Sequence, residues 1–322
     1  MEPEILFPPR PDRADGTRRR VGVEIEFTGL DARETSALVQ GLFGGTVERL
    51  DEHRHKVRGT RLGDFTVELD MMAAHPEKAG SGKLERLEER LRAVVGDVGS
   101  IIMPYEIAGP PLPIDDLPEI DRLVAALRQR GVKGTEGGVL YAFGLHFNPE
   151  IPDEDADTLV DILKAYLLLS PWLRQDIGVD LTRRLAPFIQ RFPDEYVAHV
   201  LRPDYRPGLE ELAADYVRHN PSRNRELDLY PLLAHLIPEA VRVAPEDPHV
   251  RARPTFHWRL PDSRVGVAGW SIVPDWNRWV QVERLASDRW AVDELSGLWL
   301  DCARAGALED WPALVARWLP PS

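Results

Sequence analysis

Glu24 and Glu26 stand two residues apart in Arg20-Val21-Gly22-Val23-Glu24-Ile25-Glu26-Phe27-Thr28-Gly29. Val21, Val23, Ile25 and Phe27 alternate with them, and these apolar residues are β-branched or aromatic. That pattern predicts a strand with one face on a core. Both carboxylates then leave the opposite face, about 7 Å apart by the strand rise. Two like charges held side by side are either solvated at a surface or neutralised by a cation.

Four later segments repeat the pattern. In Phe65–Asp70 the polar face carries Thr66, Glu68 and Asp70. Met103–Ala108 sets Glu106 opposite Tyr105 and Ile107. Tyr141–Asn148 turns Gly144, His146 and Asn148 away from Tyr141, Phe143, Leu145 and Phe147. Phe256–Leu260 shows His257 and Arg259. A solvated sheet face usually mixes Lys, Thr, Ser and Gln, whereas these faces hold Glu, Asp, His, Asn and Arg. Collected in one sheet, they form a wall of carboxylate and imidazole groups with an arginine at its edge. Such a wall repels itself unless divalent cations neutralise it, and oxygen-rich ligation with an occasional imidazole suits Mg²⁺ or Mn²⁺. Gly22 and Gly144 suit close approach of a ligand or neighbouring backbone.

The elements that must position these residues follow from the pattern between them. Asp31 and Glu34 form a capping box opening a helix to about Phe43, ended by Gly44-Gly45. Thr46–Leu50, His53–Arg58 and Asp64–Asp70 predict an antiparallel meander, with His53 and His55 as a surface pair. Helical spacing predicts helices over Ser81–Val95, Pro113–Gln129 and Asp153–Gln175, the last broken near Pro171. Asp180–Pro238 reads as mostly helical. Arg253–Leu260 and Arg278–Leu285 read as strands, and two helices, Asp288–Arg304 and Leu308–Leu319, close the chain. Trp270, Trp276 and Trp279 are assigned to the core. No repeat or low-complexity linker divides the chain. An α+β organisation is expected, with residues 1–19 as an irregular arm and 20–322 as one domain carrying a helical insertion at about 150–240.

Composition narrows the function. The 322 residues carry 40 Lys and Arg against 53 Asp and Glu, a net charge of -13, which disfavours nucleic acid and anionic membranes as partners. No run of apolar residues approaches a membrane span, and a single cysteine, Cys302, fits a reducing cytoplasm. Gly-x-x-x-x-Gly-Lys-Ser/Thr does not occur, which excludes a P-loop. His-x-Asp pairs are also missing, which lowers a binuclear hydrolase.

Gly22-Val23-Glu24-Ile25-Glu26-Phe27 resembles the opening motif of the amidoligase family, relatives of glutamine synthetase and glutamate–cysteine ligase. Later motifs follow in order. Phe65–Asp70, Glu106-Ile107-Ala108-Gly109-Pro110-Pro111-Leu112, Gly144-Leu145-His146-Phe147-Asn148 and Thr255-Phe256-His257-Trp258-Arg259 each resemble a family segment. Two positions depart from it: Asn148 stands where a second histidine is frequent, and His257 where a carboxylate ligand is usual. The resemblance implies a curved, mainly antiparallel sheet of the glutamine synthetase-like type with helices on one side. It further implies an ATP-dependent ligase that joins a carboxylate to an amine, on an amino acid or peptide, with oligomerisation compatible. On that reading Glu24, Glu26, Glu68, Glu106, His146 and His257 hold Mg²⁺ or Mn²⁺. Arg259 meets phosphate, with Arg223 and Arg225 as secondary cofactor-binding candidates, and Asp70 is a ligand, a positioning group or the base for the amine. A non-catalytic nucleotide- or peptide-binding descendant and a metal-dependent hydrolase are the alternatives.

Overall fold

The computed structural model describes residues 3–69, 104–137, 142–179, 183, 189–241 and 250–319. The expected helix at Ser81–Val95 and the candidate base Asp70 lie outside the described residues. The first strand, β1 (Arg20–Phe27), runs through the middle of the sheet. Helix α1 (Ala32–Phe43) follows, and then β2 (Thr46–Arg49), β3 (Arg54–Thr60) and β4 (Gly63–Leu69). After these come β5 (Tyr105–Ala108), β6 (Leu112–Pro113), α2 (Pro118–Gln129) and β7 (Leu145–Pro149). The long helix α3 (Ala156–Ile177) precedes α4 (Asp194–Val200), α5 (Leu209–His219), β8 (Leu227–Asp228), α6 (Tyr230–Leu236) and α7 (Pro238–Val241). Strand β9 (His257–Trp258) and helices α8 (Val273–Ala286), α9 (Arg289–Ala305) and α10 (Trp311–Val315) complete the described elements.

All the strands pair antiparallel in one open sheet, ordered β2-β3-β4-β5-β1-β7-β9-β8, with β6 beside β1. The molecule is therefore an α+β structure with mixed helices and an antiparallel sheet. Register keeps the alternation in phase across the sheet. Val67, Ile107, Ile25 and Leu145 lie opposite one another along one face, and Phe147 lies opposite Trp258. These side chains are fully buried or nearly so. A slip of one residue in any strand would turn its apolar set to the other face, so burial specifies this register.

Helices cover that apolar face at both ends of the sheet. Phe43 of α1 stacks on Phe65 of β4 with ring centres 5.5 Å apart. Trp276 and Trp279 of α8 meet Phe147, Phe256 and Trp258 at 5.5–6.1 Å. The expected capping box is present: Glu34 N donates to Asp31 Oδ1 at 2.8 Å, and Asp31 N to Glu34 Oε2 at 3.2 Å. Such a cap contributes about 1 kcal/mol. The helix stops at Gly44, whose φ of +78° suits only glycine without strain.

Three expectations are corrected. Arg278–Leu285 belongs to α8, not to a strand. Its Trp279, Val280, Gln281, Val282, Glu283 and Leu285 are all buried, which leaves only Arg278 and Arg284 part-exposed in that stretch, a polar stripe too thin to reveal a helical period. Pro171 does not break α3, which continues to Ile177. His55 is not on the surface: only 4% exposed, it shares the inward phase of Val57, and its Nδ1 lies 3.0 Å from Ser36 Oγ.

The described N-terminal residues pack firmly against helix α8. Leu6 N donates to Asn277 Oδ1 at 2.8 Å, and Trp276 Nε1 donates to the Leu6 carbonyl at 2.9 Å. Arg19, 1% exposed, meets both Glu283 oxygens at 2.6 and 2.7 Å. Among the described residues no helix is long and apolar enough to cross a membrane.

Candidate metal centre

The face opposite the core is where the acidic strands converge. Glu68, Glu106 and Glu26 lie directly opposite one another on β4, β5 and β1, and Glu24 lies opposite His146 on β7. Carboxylates facing each other across strands destabilise a sheet unless something neutralises them. Two sets of three potential ligands come together among the described residues, Glu24–His146–His257 and Glu26–Glu106–His146. Within each set one ligand atom per residue lies within 4.8 Å of the others. Glu68 stands at the outer end of the acidic row, opposite Glu106 but outside both sets.

His146 belongs to both sets and is only 6% exposed. Its Nδ1 lies 3.2 Å from Glu24 Oε2 and its Nε2 3.6 Å from Glu26 Oε1. Its close approach depends on glycine: a Cβ built on Gly144 would lie 2.4 Å from His146 Nε2 and 2.9 Å from Arg183 Nη2. The Gly144 amide also donates to Glu26 Oε2 at 2.6 Å. Gly22 plays a milder part beside Asn148, whose Cβ would be 3.3 Å from a Cβ added there.

Asn148 ties the centre to its second imidazole. Its Nδ2 donates to Glu24 Oε1 at 2.9 Å, and its Oδ1 lies 2.8 Å from His257 Nδ1. Arg253 Nη2 donates to the same Oδ1 at 2.6 Å, lies 2.8 Å from His257 Nδ1 and reaches Glu24 Oε1 at 3.8 Å. His257 Nε2 is buried without a hydrogen-bond partner. Burial lowers the His257 pKa well below the ordinary imidazole value; Glu24 pulls the other way, but Arg259, His146 and Arg253 add to the lowering. The ring is neutral and keeps a lone pair for a ligand. Burial pushes the Glu24 carboxyl up, yet the His146 hydrogen bond and the Arg253 guanidinium hold the group well below the carboxylate range. An ionised Glu24 carboxylate beside the neutral His257 ring and the His146 nitrogens is a donor set that fits a divalent cation.

The arginines divide. Arg259 lies close enough to His257 to lower its pKa; its Nη1 donates to the Arg223 carbonyl at 3.1 Å, and its buried Nε has no hydrogen-bond partner. Arg223 Nε pairs with Asp228 Oδ2 at 3.0 Å, and Asp228 lies opposite His257 across β8 and β9. Arg225 is not brought to the centre. Its guanidinium donates to Asn220 Oδ1 at 2.8 Å and the Arg191 carbonyl at 2.5 Å, and sits over Phe192. Two arginines at the centre escaped the sequence reading. Arg253 shares the alternate phase of Thr255, His257 and Arg259, a signal that was there to find. Arg183, 3% exposed, anchors the turn after β9 through the Leu260 carbonyl at 2.9 Å and Asp262 Oδ1 at 3.1 Å. No local pattern marks it.

An open antiparallel sheet with helices on its apolar face and converging Glu and His residues on the other defines a protein with a candidate metal centre. A family model described as "putative amidoligase enzyme" matches residues 17–281, and the chain belongs to that family. No curated protein and no solved structure matches it.

Proposed function

We propose that this chain is an ATP- and Mg²⁺-dependent ligase that joins a carboxylate to an amine, on a sheet of the glutamine synthetase-like type. The observation that supports it best is the convergence of Glu24, Glu26, Glu106, His146 and His257 on one sheet face, flanked by Arg253 and Arg259, in an amidoligase-family chain. One catalytic domain with a docked N-terminal arm and a helical insertion at about 150–240 is part of the same reading.

A carboxylate is a poor electrophile. Transfer of the ATP γ-phosphoryl to it gives an acyl phosphate and ADP, and attack by the amine forms the amide and releases phosphate. Positioning and charge neutralisation dominate such transfers. Divalent ions, when bound, supply the neutralisation of phosphate oxygens. Glu24, Glu26, Glu106, His146 and His257 would hold them, with Glu68 extending the acidic row. Arg259, a permanently charged planar fork, would meet a phosphate oxygen; Arg253 and, at the rim, Arg223 would add to that positive end. Asp70 would serve as a ligand, a positioning group or the base that takes the amine proton.

The test is ADP release by the full chain with Mg²⁺, using mixed amino acids and dipeptides as carboxylate and amine donors. Dependence on both donors supports the ligase. Glu24→Gln and Glu26→Gln should each lower turnover at least about 100-fold with an unchanged circular dichroism spectrum; near-normal ATP consumption in both would overturn the assignment. His257 and Asn148, which depart from the family pattern, favour one second reading: a non-catalytic descendant. It predicts thermal stabilisation by nucleotide without turnover.

A further inference from the structure

We infer that the centre is chemically divided. The Glu24–His146–His257 set forms a site for a late first-row divalent ion of the Zn²⁺ type, beside a carboxylate site for Mg²⁺ at Glu26 and Glu106. This deepens the proposed function by assigning the ions. It rests on reading this sheet face as a metal centre, and is independent of the ligase reaction.

The donor atoms carry the distinction. One set offers two imidazoles and one carboxylate, and imidazole suits Zn²⁺, Fe²⁺, Ni²⁺ and Cu²⁺, whereas Mg²⁺ takes oxygen ligands and keeps several waters. His257 is set up as a ligand independently of Glu24. Its Nε2 is the buried ring atom with no hydrogen-bond partner. Ligation through Nε2 requires the ring proton on Nδ1; Asn148 Oδ1 lies 2.8 Å from that atom to accept it, and Arg253 Nη2, a donor also 2.8 Å from it, must then aim its N–H at Asn148 Oδ1, 2.6 Å away. Asn148 cannot turn its amide over without losing the bond from Nδ2 to Glu24 Oε1 at 2.9 Å and the one from Arg253 at 2.6 Å. The outer partner that fixes a ligand histidine's tautomer and orientation is thus in place.

His146 decides how the two sites share one ring. A neutral imidazole has a single lone pair, so it ligates one ion and donates a proton toward the other side. Ligation at Nδ1, on the Glu24 side, places the N–H at Nε2, facing Glu26 Oε1 at 3.6 Å. Glu26 is oriented by the Gly144 amide at 2.6 Å, with the histidine N–H facing it beyond hydrogen-bond distance, and its site is left with oxygen donors from Glu26 and Glu106. A hard cation matches that set. His146 serves as ligand on one side and donor on the other.

The test uses the full chain stripped of metal, with Zn²⁺ and Mg²⁺ affinities measured by competition with a chromophoric chelator and by titration calorimetry. One Zn²⁺ per chain should bind at least about tenfold tighter than Mg²⁺. His257→Asp should lower Zn²⁺ affinity about tenfold or more without lowering Mg²⁺ affinity; Glu106→Gln should lower Mg²⁺ affinity without lowering that for Zn²⁺. The selectivity measurement on the unaltered chain stands even if a variant fails to fold. A Zn²⁺ preference below tenfold, or a folded His257→Asp chain with full Zn²⁺ affinity, overturns the division. Failure of either ion to bind overturns both the division and the metal-centre reading beneath the proposed function. Selective binding without ADP release supports the division and sinks only the ligase.

Discussion

Gly144→Ala isolates the centre from the fold more cleanly than loss of any ligand. Gly144 is not among the glycines with positive φ, so alanine adds no backbone strain there. It keeps the N–H that Glu26 accepts. The one new element is a Cβ 2.4 Å from His146 Nε2, where ordinary contact begins at 3.4 Å, so the imidazole must retreat by about 1 Å. Metal–ligand distances tolerate shifts of only about 0.2 Å, so a displaced His146 weakens the Glu24 set directly, as a lost ligand, and takes its Nε2 away from Glu26. A loss of about 100-fold in affinity is expected. The assay is thermal and urea unfolding with and without Mn²⁺ at 100 times the wild-type Kd. The ion stabilises the wild-type fold by about 2.7 kcal/mol under those conditions, and the variant by about 0.4 kcal/mol. The metal-free stabilities should differ by no more than about 1–3 kcal/mol, the usual range for overpacking. Gly22→Ala is the graded control, since its Cβ would meet Asn148 at 3.3 Å and need little movement. A Gly144→Ala chain that keeps the full ion-induced stabilisation would refute the claim that His146 is a ligand.

Arg19→Ala should cost about 3–5 kcal/mol in urea unfolding, because it strands buried Glu283 without its cation; a loss below about 1 kcal/mol would show the arm to be dispensable. Replacing both Arg19 and Glu283 by leucine should recover much of that loss. Asp275 gives a pH signature: burial, opposed by Arg278, pushes its carboxyl up to about 6 from an ordinary 3.8. The folded state therefore binds more protons between those values, and stability falls as pH rises through about 6. Asp275→Asn removes that dependence, so its stability relative to wild type should improve by about 1 kcal/mol from pH 5 to 7. A constant difference across that range would place the carboxyl in an ordinary environment.

Alternation was enough to put Glu24, Glu26, Glu68, Glu106, His146 and His257 on polar strand faces, because each partner residue in the apolar phase is large and unambiguous. Register was beyond local pattern. Glu26 meets Glu106, and Glu24 meets His146, only because β5 and β7 flank β1 from distant parts of the chain. Arg183 has no periodic context at all. His55 and Arg253 were legible by phase: the first shares the inward phase of Val57, the second the outward phase of His257. Helix α8 defeated the pattern for a physical reason, since a mostly buried segment keeps only a thin polar stripe, here Arg278 and Arg284, and its valines and tryptophans mimic a strand.

The residue at 257 sets the charge balance of the whole face. A carboxylate there would form ion pairs with Arg253 and Arg259 and join Glu24, Glu26 and Glu106 in repelling one another. A neutral imidazole leaves Arg253 bonded to Asn148 Oδ1, with the Glu24 carboxylate farther off at 3.8 Å, and Arg259 bonded to the Arg223 carbonyl. The positive potential at the β9 end is then less compensated, while the negative potential remains at β5 and β1. One sheet face thus holds an acidic half suited to cations and a basic half suited to an anion, separated by two imidazole rings whose centres are 5.3 Å apart. Restoring a carboxylate with His257→Asp would draw both arginines toward it and add a charge to the acidic side. The consequence is opposite in sign at the two ends: stronger attraction for hard cations and weaker attraction for anions. A basic edge that owed its field only to the number of arginines would not respond in this way.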